Sequence, residues 1–269
     1  AWLPGMIPVG YHRAQVDDQH FTLAVAPAQC YSMADAVDNA TPRAWGLSAQ
    51  LYSLRRQGDG GFGDTQALEI FARVTGERGA DALAISPMHA MFSCDPYRYS
   101  PYSPSSRLFL NSLYAAPASI LGEVAVQRAI ETCGLGPALH RLEQLPLIDW
   151  AAATVPKQTL MRQLYEDFLL GEQPLSEDFN QFRDSGGEAL ENHCRFEALQ
   201  ALHVAEHQSI DWRLWPEQWR DPDSPALLIF AEEHAHEIGY YAFCQWLIAR
   251  CLAQAQKAAR DSGMAVGLI

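Results

Sequence analysis

Positive charge is scarce in this sequence. Its 269 residues carry 19 Lys and Arg against 32 Asp and Glu, a formal net charge of −13. Phosphate backbones are bound through clustered cations, so the balance argues against nucleic acid as a partner. Long apolar runs are missing as well. The richest, Tyr240 to Leu252, contains Arg250 and falls short of the ~18 uncharged residues of a membrane helix, so no membrane partner is expected. The first residues lack a basic segment followed by an apolar core, and no signal peptide is visible. The six cysteines (Cys30, Cys94, Cys133, Cys194, Cys244 and Cys251) form no Cys-x-x-Cys pair. That spacing gives neither a zinc cage nor a dense disulfide framework, and reduced thiols in a cytoplasm are the expectation. No Gly-x-Ser-x-Gly nucleophile elbow occurs either.

What is present is ordinary for a globular protein: 48% of residues are hydrophobic, enough for a sizeable core. A prior of roughly 150 residues per domain allows one or two domains. Gly10 to Val16 and His20 to Ala26 read as strands joined by Asp17-Asp-Gln19, the second pointing Phe21, Leu23 and Val25 inward. Two strands alone are marginal in water, which implies a larger sheet. Met33 to Arg43 reads as a linker. Beyond it, Trp45 to Leu51 is a strand, Gly58 to Gly63 a glycine-rich turn, and Asp64 the N-cap of a helix. The spacing places Ala67, Leu68, Ile70, Phe71 and Val74 on one helical face. Asp81 to Ser86 follows as a parallel-type strand, which completes a right-handed βαβ unit and makes the fold class α/β. From about 120 to 225 the pattern is helical and interrupted by Pro137, Pro146, Pro156 and Pro174, with amphipathic stretches at Lys157–Leu170 and Glu188–His207. A helix from Tyr240 to Asp261 and a third strand from Met264 to Ile269 close the chain. Cys244 and Cys251, seven apart on that helix, read as small core residues.

Several constellations invite chemistry. Gly58-Asp-Gly-Gly-Phe-Gly63 matches the dinucleotide pattern, but Asp59 and Asp64 would repel a pyrophosphate there, and Asp81 opens the second strand where a ribose ligand should close it. A tight βα turn is the better reading. His203-Val-Ala-Glu-His207 matches an inverted zinc-protease pattern, with His203 and His207 on one face and Glu206 as a base. Only Glu232, Glu233 or His236 offer a nominal third ligand, so a solvated helix face is favoured over a zinc hydrolase. Paired carboxylates for glycosidic chemistry need a separation of roughly 5–9 Å, which the sequence does not assign to Asp59, Asp64 or Asp95. The best candidate is Ser100-Pro-Tyr-Ser-Pro-Ser-Ser-Arg107. Pro101 and Pro104 hold Tyr102 between serines and beside Arg107, an arrangement suited to a ligand with apolar faces and hydroxyl edges, such as a sugar ring.

That loop, together with Trp45-Gly-Leu-Ser-Ala-Gln-Leu-Tyr-Ser-Leu-Arg55, Gly61-Phe-Gly-Asp64, Ile85-Ser-Pro-Met-His-Ala90 and Leu110-Asn111, resembles the long bacterial amylomaltases, the 4-α-glucanotransferase family of glycoside hydrolases. Gly10-Tyr-His12, Ala26-Pro-Ala-Gln-Cys30 and Gly263-Met-Ala-Val-Gly-Leu268 extend the likeness to most of the chain, and it is weak through the helical stretch. The resemblance implies the first three strands of a (β/α)8 TIM barrel over 43–269, with a helical insert at about 120–225. It implies that 1–42 are the last strands of a β-sandwich domain plus a linker. It also implies transfer of α-1,4-glucan segments between maltodextrins by a retaining double displacement, with no cofactor and no metal. The family's catalytic aspartates and glutamate lie on later strands, so the chain reads as a fragment that is inactive alone; its missing initiator methionine and abrupt apolar end agree. Tyr102 matches the family's sugar-stacking tyrosine and Ser100 its polar neighbour. Asp95, Ser105, Arg107 and Asn111 match motif positions as sugar contacts or as loop scaffold. Relatives carry a tryptophan where this chain has Gly60, so one aromatic surface is expected to be lost. A non-catalytic glucan-binding module built on Tyr102 is the alternative.

Overall fold

The first elements follow from a two-residue turn between alternating strands. In a computed structural model, which describes residues 7–37, 43–171, 175–206 and 208–269, β1 (Gly10–Val16) pairs antiparallel with β2 (Gln19–Val25). Asp17 enters the turn at φ 54°, a left-handed conformation that a short polar side chain tolerates. Leu23 and Val25 are half-buried, but Phe21 is exposed, contrary to the inward position expected of it. The described residues of this unit supply no second layer to cover that face. Part of the expected linker is helical: α1 (Met33–Val37) begins where Asp35 Oδ2 accepts from the amide and hydroxyl of Ser32. Residues 1–44 form one compact unit and 45–269 a second.

The second unit is built on three parallel strands. β3 (Gly46–Ala49) and β4 (Ala82–Ile85) flank α2 (Thr65–Gly76), and β7 (Gly267–Leu268) pairs with the other edge of β4. The strands are shorter than the apolar runs that announced them. Gly46 is required for this pairing, because a Cβ there would lie 2.5 Å from the carbonyl oxygen of Ala82. Asp64 caps α2 by accepting from the amides of Gln66 and Ala67. The buried stripe of α2 runs through Ala67, Leu68, Ala72 and Thr75, and Ile70 and Val74 are exposed rather than inside. The periodicity was right and its phase was not: the stripe is centred on Leu68 and Ala72, where the closing helix lies.

β5 (His89–Ala90) and β6 (Ser106–Leu110) form a short antiparallel ladder after β4. A run of helices follows: α3 (Ala118–Leu121), α4 (Glu123–Thr132), α5 (Gly136–Glu143), α6 (Trp150–Leu170), α7 (Ser176–Ala205) and α8 (Pro225–Glu233). Two prolines behave as punctuation, Pro137 at the start of α5 and Pro146 in the connection to α6, whereas Pro156 is buried inside α6 without ending it. Pro174 lies outside the described residues. α7 breaks at Gly187 (φ 51°, ψ −148°), so the helix expected from Glu188 is the second of two joined segments.

α9 (Ala235–Asp261) returns the chain to the sheet, packing against both α2 and α7. Phe243, Trp246, Leu247, Ile248 and both expected core cysteines, Cys244 and Cys251, are buried on it. Asp178 of α7 accepts from Trp246 Nε1 at 2.7 Å and from Arg250 through both carboxylate oxygens at 2.7 Å. One packing constraint is tight enough to test. A Cβ on Gly63 would fall 2.2 Å from the Leu51 carbonyl oxygen, whereas one on Gly136 meets nothing within 4 Å. Gly63→Ala should therefore lower stability by about 2 kcal/mol in urea unfolding while Gly136→Ala is neutral or stabilising. Equal midpoints for the two variants would contradict this account.

Candidate functional site

The turn that carries Tyr102 is set by its own sequence. The Ser103 amide donates to the Ser100 carbonyl at 3.0 Å, with Pro101 and Tyr102 at the two central positions. Proline at the first central position presets its backbone angle. Pro101 is buried while Tyr102 is 66% exposed, so the proline anchors the turn and the tyrosine stands clear of it. Tyr97 and Tyr99 of the same loop are also exposed. Tyr99 stacks on Trp150, the first residue of α6, at 5.6 Å and 5°, and Trp150 continues onto Phe62 at 4.9 Å.

The remaining motif residues divide into scaffold and surface. Ser105 Oγ donates to the carbonyls of Ala90 and Met91 at 3.2 and 3.1 Å, and its amide donates to Ala90 at 2.8 Å, so it closes the base of the hairpin. Asn111 is buried, with its amide on the Met88 carbonyl and its Oδ1 accepting from the Leu113 amide. Asp95 Oδ1 accepts from the Tyr97 amide at 3.2 Å and turns the loop outward. Ser100 and Arg107 are exposed, and Arg107 makes no ion pair among the described residues.

The glycine turn is tied by two arginine–aspartate pairs rather than arranged for a phosphate. Arg55 pairs with Asp59 at 2.6 Å and Arg56 with Asp64 at 2.6 Å. Burial pushes the Asp59 carboxyl up, but the Arg55 guanidinium and the amides of Gly61 and Arg56 hold it below the usual range. Lys157 of α6 lies over the Phe62 ring at 3.8 Å, and burial brings its amine down to about 8 against the pull of Asp64 and Asp59. A Cβ on Gly60 would meet Leu139 at 3.1 Å and Lys157 at 3.2 Å, so this glycine is packed against α5 and α6.

Next to the loop, a cavity of about 230 Å³ opens between segment 90–99, the end of β6 and helices α6, α7 and α9. Asp95, Asn111, Tyr99 and Trp150 line it, and Tyr102, Ser100, Ser105 and Arg107 do not. Glu197 of α7 is 4% exposed there, and burial raises its carboxyl to about 7 against the opposing pull of the nearby Ser93 hydroxyl. Neither Glu197 Oε1 nor Ser93 Oγ meets a partner at hydrogen-bonding geometry. One turn earlier, His193 stacks on Phe109 at 4.1 Å, and burial brings its imidazole down to about 4.

His203 of the zinc pattern does not lie on a solvated face. His203 is buried, its ring stacked on Trp215 at 4.6 Å and its Nδ1 in contact with Gln208 Oε1. Glu206 accepts from Gln208 Nε2, His207 lies outside the described residues, and no metal-holding group of three side chains occurs among the described ones.

Residues 49–268 match the family model described as 4-alpha-glucanotransferase, glycoside hydrolase family 77. The chain belongs to that family. It is 29% identical over 279 residues to the 4-alpha-glucanotransferase of Mycobacterium tuberculosis (strain ATCC 25618 / H37Rv), covering 99% of this chain and 37% of the relative. It is 26% identical over 279 residues to that of Haemophilus influenzae, covering 97% and 39%. The chain thus spans little more than a third of the length of these relatives. Its fold is similar to the amylomaltase of Corynebacterium glutamicum, TM-score 0.72 at 23% identity over 99% of this chain and 35% of that one. It is also similar to the amylomaltase of Streptococcus agalactiae in complex with acarbose, TM-score 0.62 at 18% identity over 83% and 42%.

Within this 4-alpha-glucanotransferase family member, Tyr97, Tyr99 and Trp150 were missed by reading the sequence. The aromatic spacing Tyr97-x-Tyr99-x-x-Tyr102 was visible in the chain. Trp150 was not, because 48 residues separate it from Tyr102.

Two buried titratable side chains of α7, Glu197 and His193, give opposite pH dependences. The fold favours neutral Glu197, so its contribution is complete below its usual 4.5 and is lost as pH rises through about 7. It favours neutral His193, whose contribution is complete above its usual 6.5 and is lost as pH falls through about 4. Glu197→Gln should accordingly gain stability over wild type between pH 5 and pH 8, by an amount of order 3 kcal/mol. Urea unfolding at the two pH values measures it, and a gap that stays constant with pH would refute the buried neutral acid.

Proposed function

We propose that the intact protein is a 4-α-glucanotransferase that passes α-1,4-glucan segments between maltodextrins with retention, and that this chain carries part of its glucan-binding wall. The observation that carries the reading is the family match over 49–268, which includes the loop that presents Tyr102. Tyr102 offers a flat apolar surface to the sugar face, and Ser100 and Arg107 offer polar edges around it. Asp95, Ser105 and Asn111 serve the site as scaffold: one turns the loop, one closes its hairpin, and one fixes the strand that follows. The nucleophile, acid/base and stabilising carboxylates of the double displacement belong to later strands of the intact protein.

The fold reading goes with it. β3, β4 and β7 are the first strands of an eight-stranded barrel, and the β1–β2 hairpin is the edge of a β-sandwich. Exposed Leu47 on β3 and exposed Ile70 and Val74 on α2 support this, since an apolar strand edge and helix face are the surfaces a continuing barrel would cover. Six free thiols fit a cytoplasmic location. No helix is long and apolar enough to cross a membrane among the described residues.

Maltotriose incubated with the full-length protein, followed by mass analysis, should give glucose and a ladder of longer maltodextrins. Tyr102→Ala should weaken the ladder about tenfold, and the 269-residue chain alone should give none. Glucose released by the isolated chain would overturn the assignment of the carboxylates. A folded full-length protein with no ladder would leave a glucan-binding module in place of the enzyme.

A further inference from the structure

The cavity beneath the Tyr102 loop is distinct in its chemistry from the exposed tyrosine above it. It holds about 230 Å³, less than the ~300 Å³ of drug-sized sites and several times the ~30 Å³ share of one water. Two of its polar groups are left over by the fold. Glu197 Oε1 and Ser93 Oγ are both buried and lie near one another, but neither meets a partner at hydrogen-bonding geometry, and a buried polar group so placed is costly to keep. The surrounding polar groups are already committed: Gln158 Nε2 donates to the Ser93 carbonyl at 2.6 Å, Cys94 Sγ to Gln200 Oε1 at 3.3 Å, and Arg162 to Glu237 at 2.8 Å. The walls are aromatic, with the stacked Tyr99–Trp150 pair on one side and Tyr240 and Tyr241 on the other. No cluster of three or more metal-binding side chains is found among the described residues.

We propose that this cavity binds one neutral pyranose ring, with Glu197 and Ser93 as hydrogen-bond partners to its hydroxyls, as a site separate from the glucan surface of Tyr102. Size limits the occupant to a single ring. Neutrality follows from balanced charge in the lining: Arg162 is held by Glu237, Arg98 (over the Phe92 ring) and Asp95 bring one charge of each sign, and His193 is stacked on Phe109 and uncharged at neutral pH. Aromatic walls with hydroxyl-bonding edges match the two kinds of surface a sugar ring presents. Because the cavity lies between the loop and three helices, an occupant would tie segment 90–99 to the insert, and the loop that ends in Tyr102 continues from that segment.

The choice of glucose as probe rests on the α-glucan reading. Calorimetric titration of glucose into the full-length protein should show the cavity site as binding that persists when the exposed tyrosine is removed. Glu197→Met, which keeps the length and removes the carboxyl, should weaken it about tenfold, the equivalent of one good hydrogen bond. Ser93→Ala should weaken it several-fold, and Tyr102→Ala should leave it unchanged. Thermal melts separate loss of binding from loss of fold, because Glu197→Met removes an unpaired buried acid and should melt no lower than wild type. Absence of a glucose heat with folded wild type would overturn the proposal, as would equal affinity in Glu197→Met. Loss of binding in Tyr102→Ala alone would assign the sugar to the exposed loop and also overturn it. None of these outcomes touches the transferase reading, which stands or falls on the maltodextrin ladder.

Discussion

The second unit depends on the burial of α9. A 27-residue helix whose buried positions run from Ile238 to Ala259 has to be covered on several sides at once. α2 covers one side, α7 another, and the β6 end a third, where Gln245 gives its amide to the Leu110 carbonyl at 2.7 Å and accepts the Leu110 amide at 3.0 Å. That side chain completes the backbone bonding of a strand that is otherwise at an edge. The same helix then delivers β7 to β4. One element therefore connects the parallel sheet, helices α6 and α7 and the strand that follows the Tyr102 loop.

This arrangement explains how a proline-rich loop far from any sheet centre is held in place. Its exposed tip needs no partner, because Pro101 and the Ser100–Ser103 hydrogen bond fix it locally. Its flanks are fixed at long range: Ser93 by Gln158, Cys94 by Gln200, Phe109 by His193 and Leu110 by Gln245. Each of these partners comes from α6, α7 or α9. These helices are thus a support for the loop, and the buried acid Glu197 lies among them.

Charge in this acidic chain is organised by pairing rather than by a single field. The two aspartates of the glycine turn are each held by an arginine, and Lys157 sits beside them over Phe62. The dinucleotide-like spacing of glycines therefore belongs to a turn that packs against α5 and α6. Its glycines are required by close approach, as at Gly63, and by positive φ, as at Gly60 and Gly61.

The local elements were legible because their causes are local. Asp64 as an N-cap, the turn at Pro101, the β1–β2 hairpin and the parallel order implied by a strand, helix and strand all follow from neighbours in the chain. The loop motif Ser100–Arg107 identified the family for the same reason, being specific and continuous. The phase of the α2 face was misread, because which of two apolar stripes is buried depends on where α9 lies. The break at Gly187, the survival of α6 through Pro156 and the burial of His203 against Trp215 likewise depend on packing between distant segments. Only the tertiary structure separated Ser105, Asn111 and Asp95 as scaffold from Tyr102 as surface, and only it placed Trp150, Glu197 and Ser93 around one cavity. Those residues are brought together by helices that cross, and a linear pattern carries no record of which helices will meet.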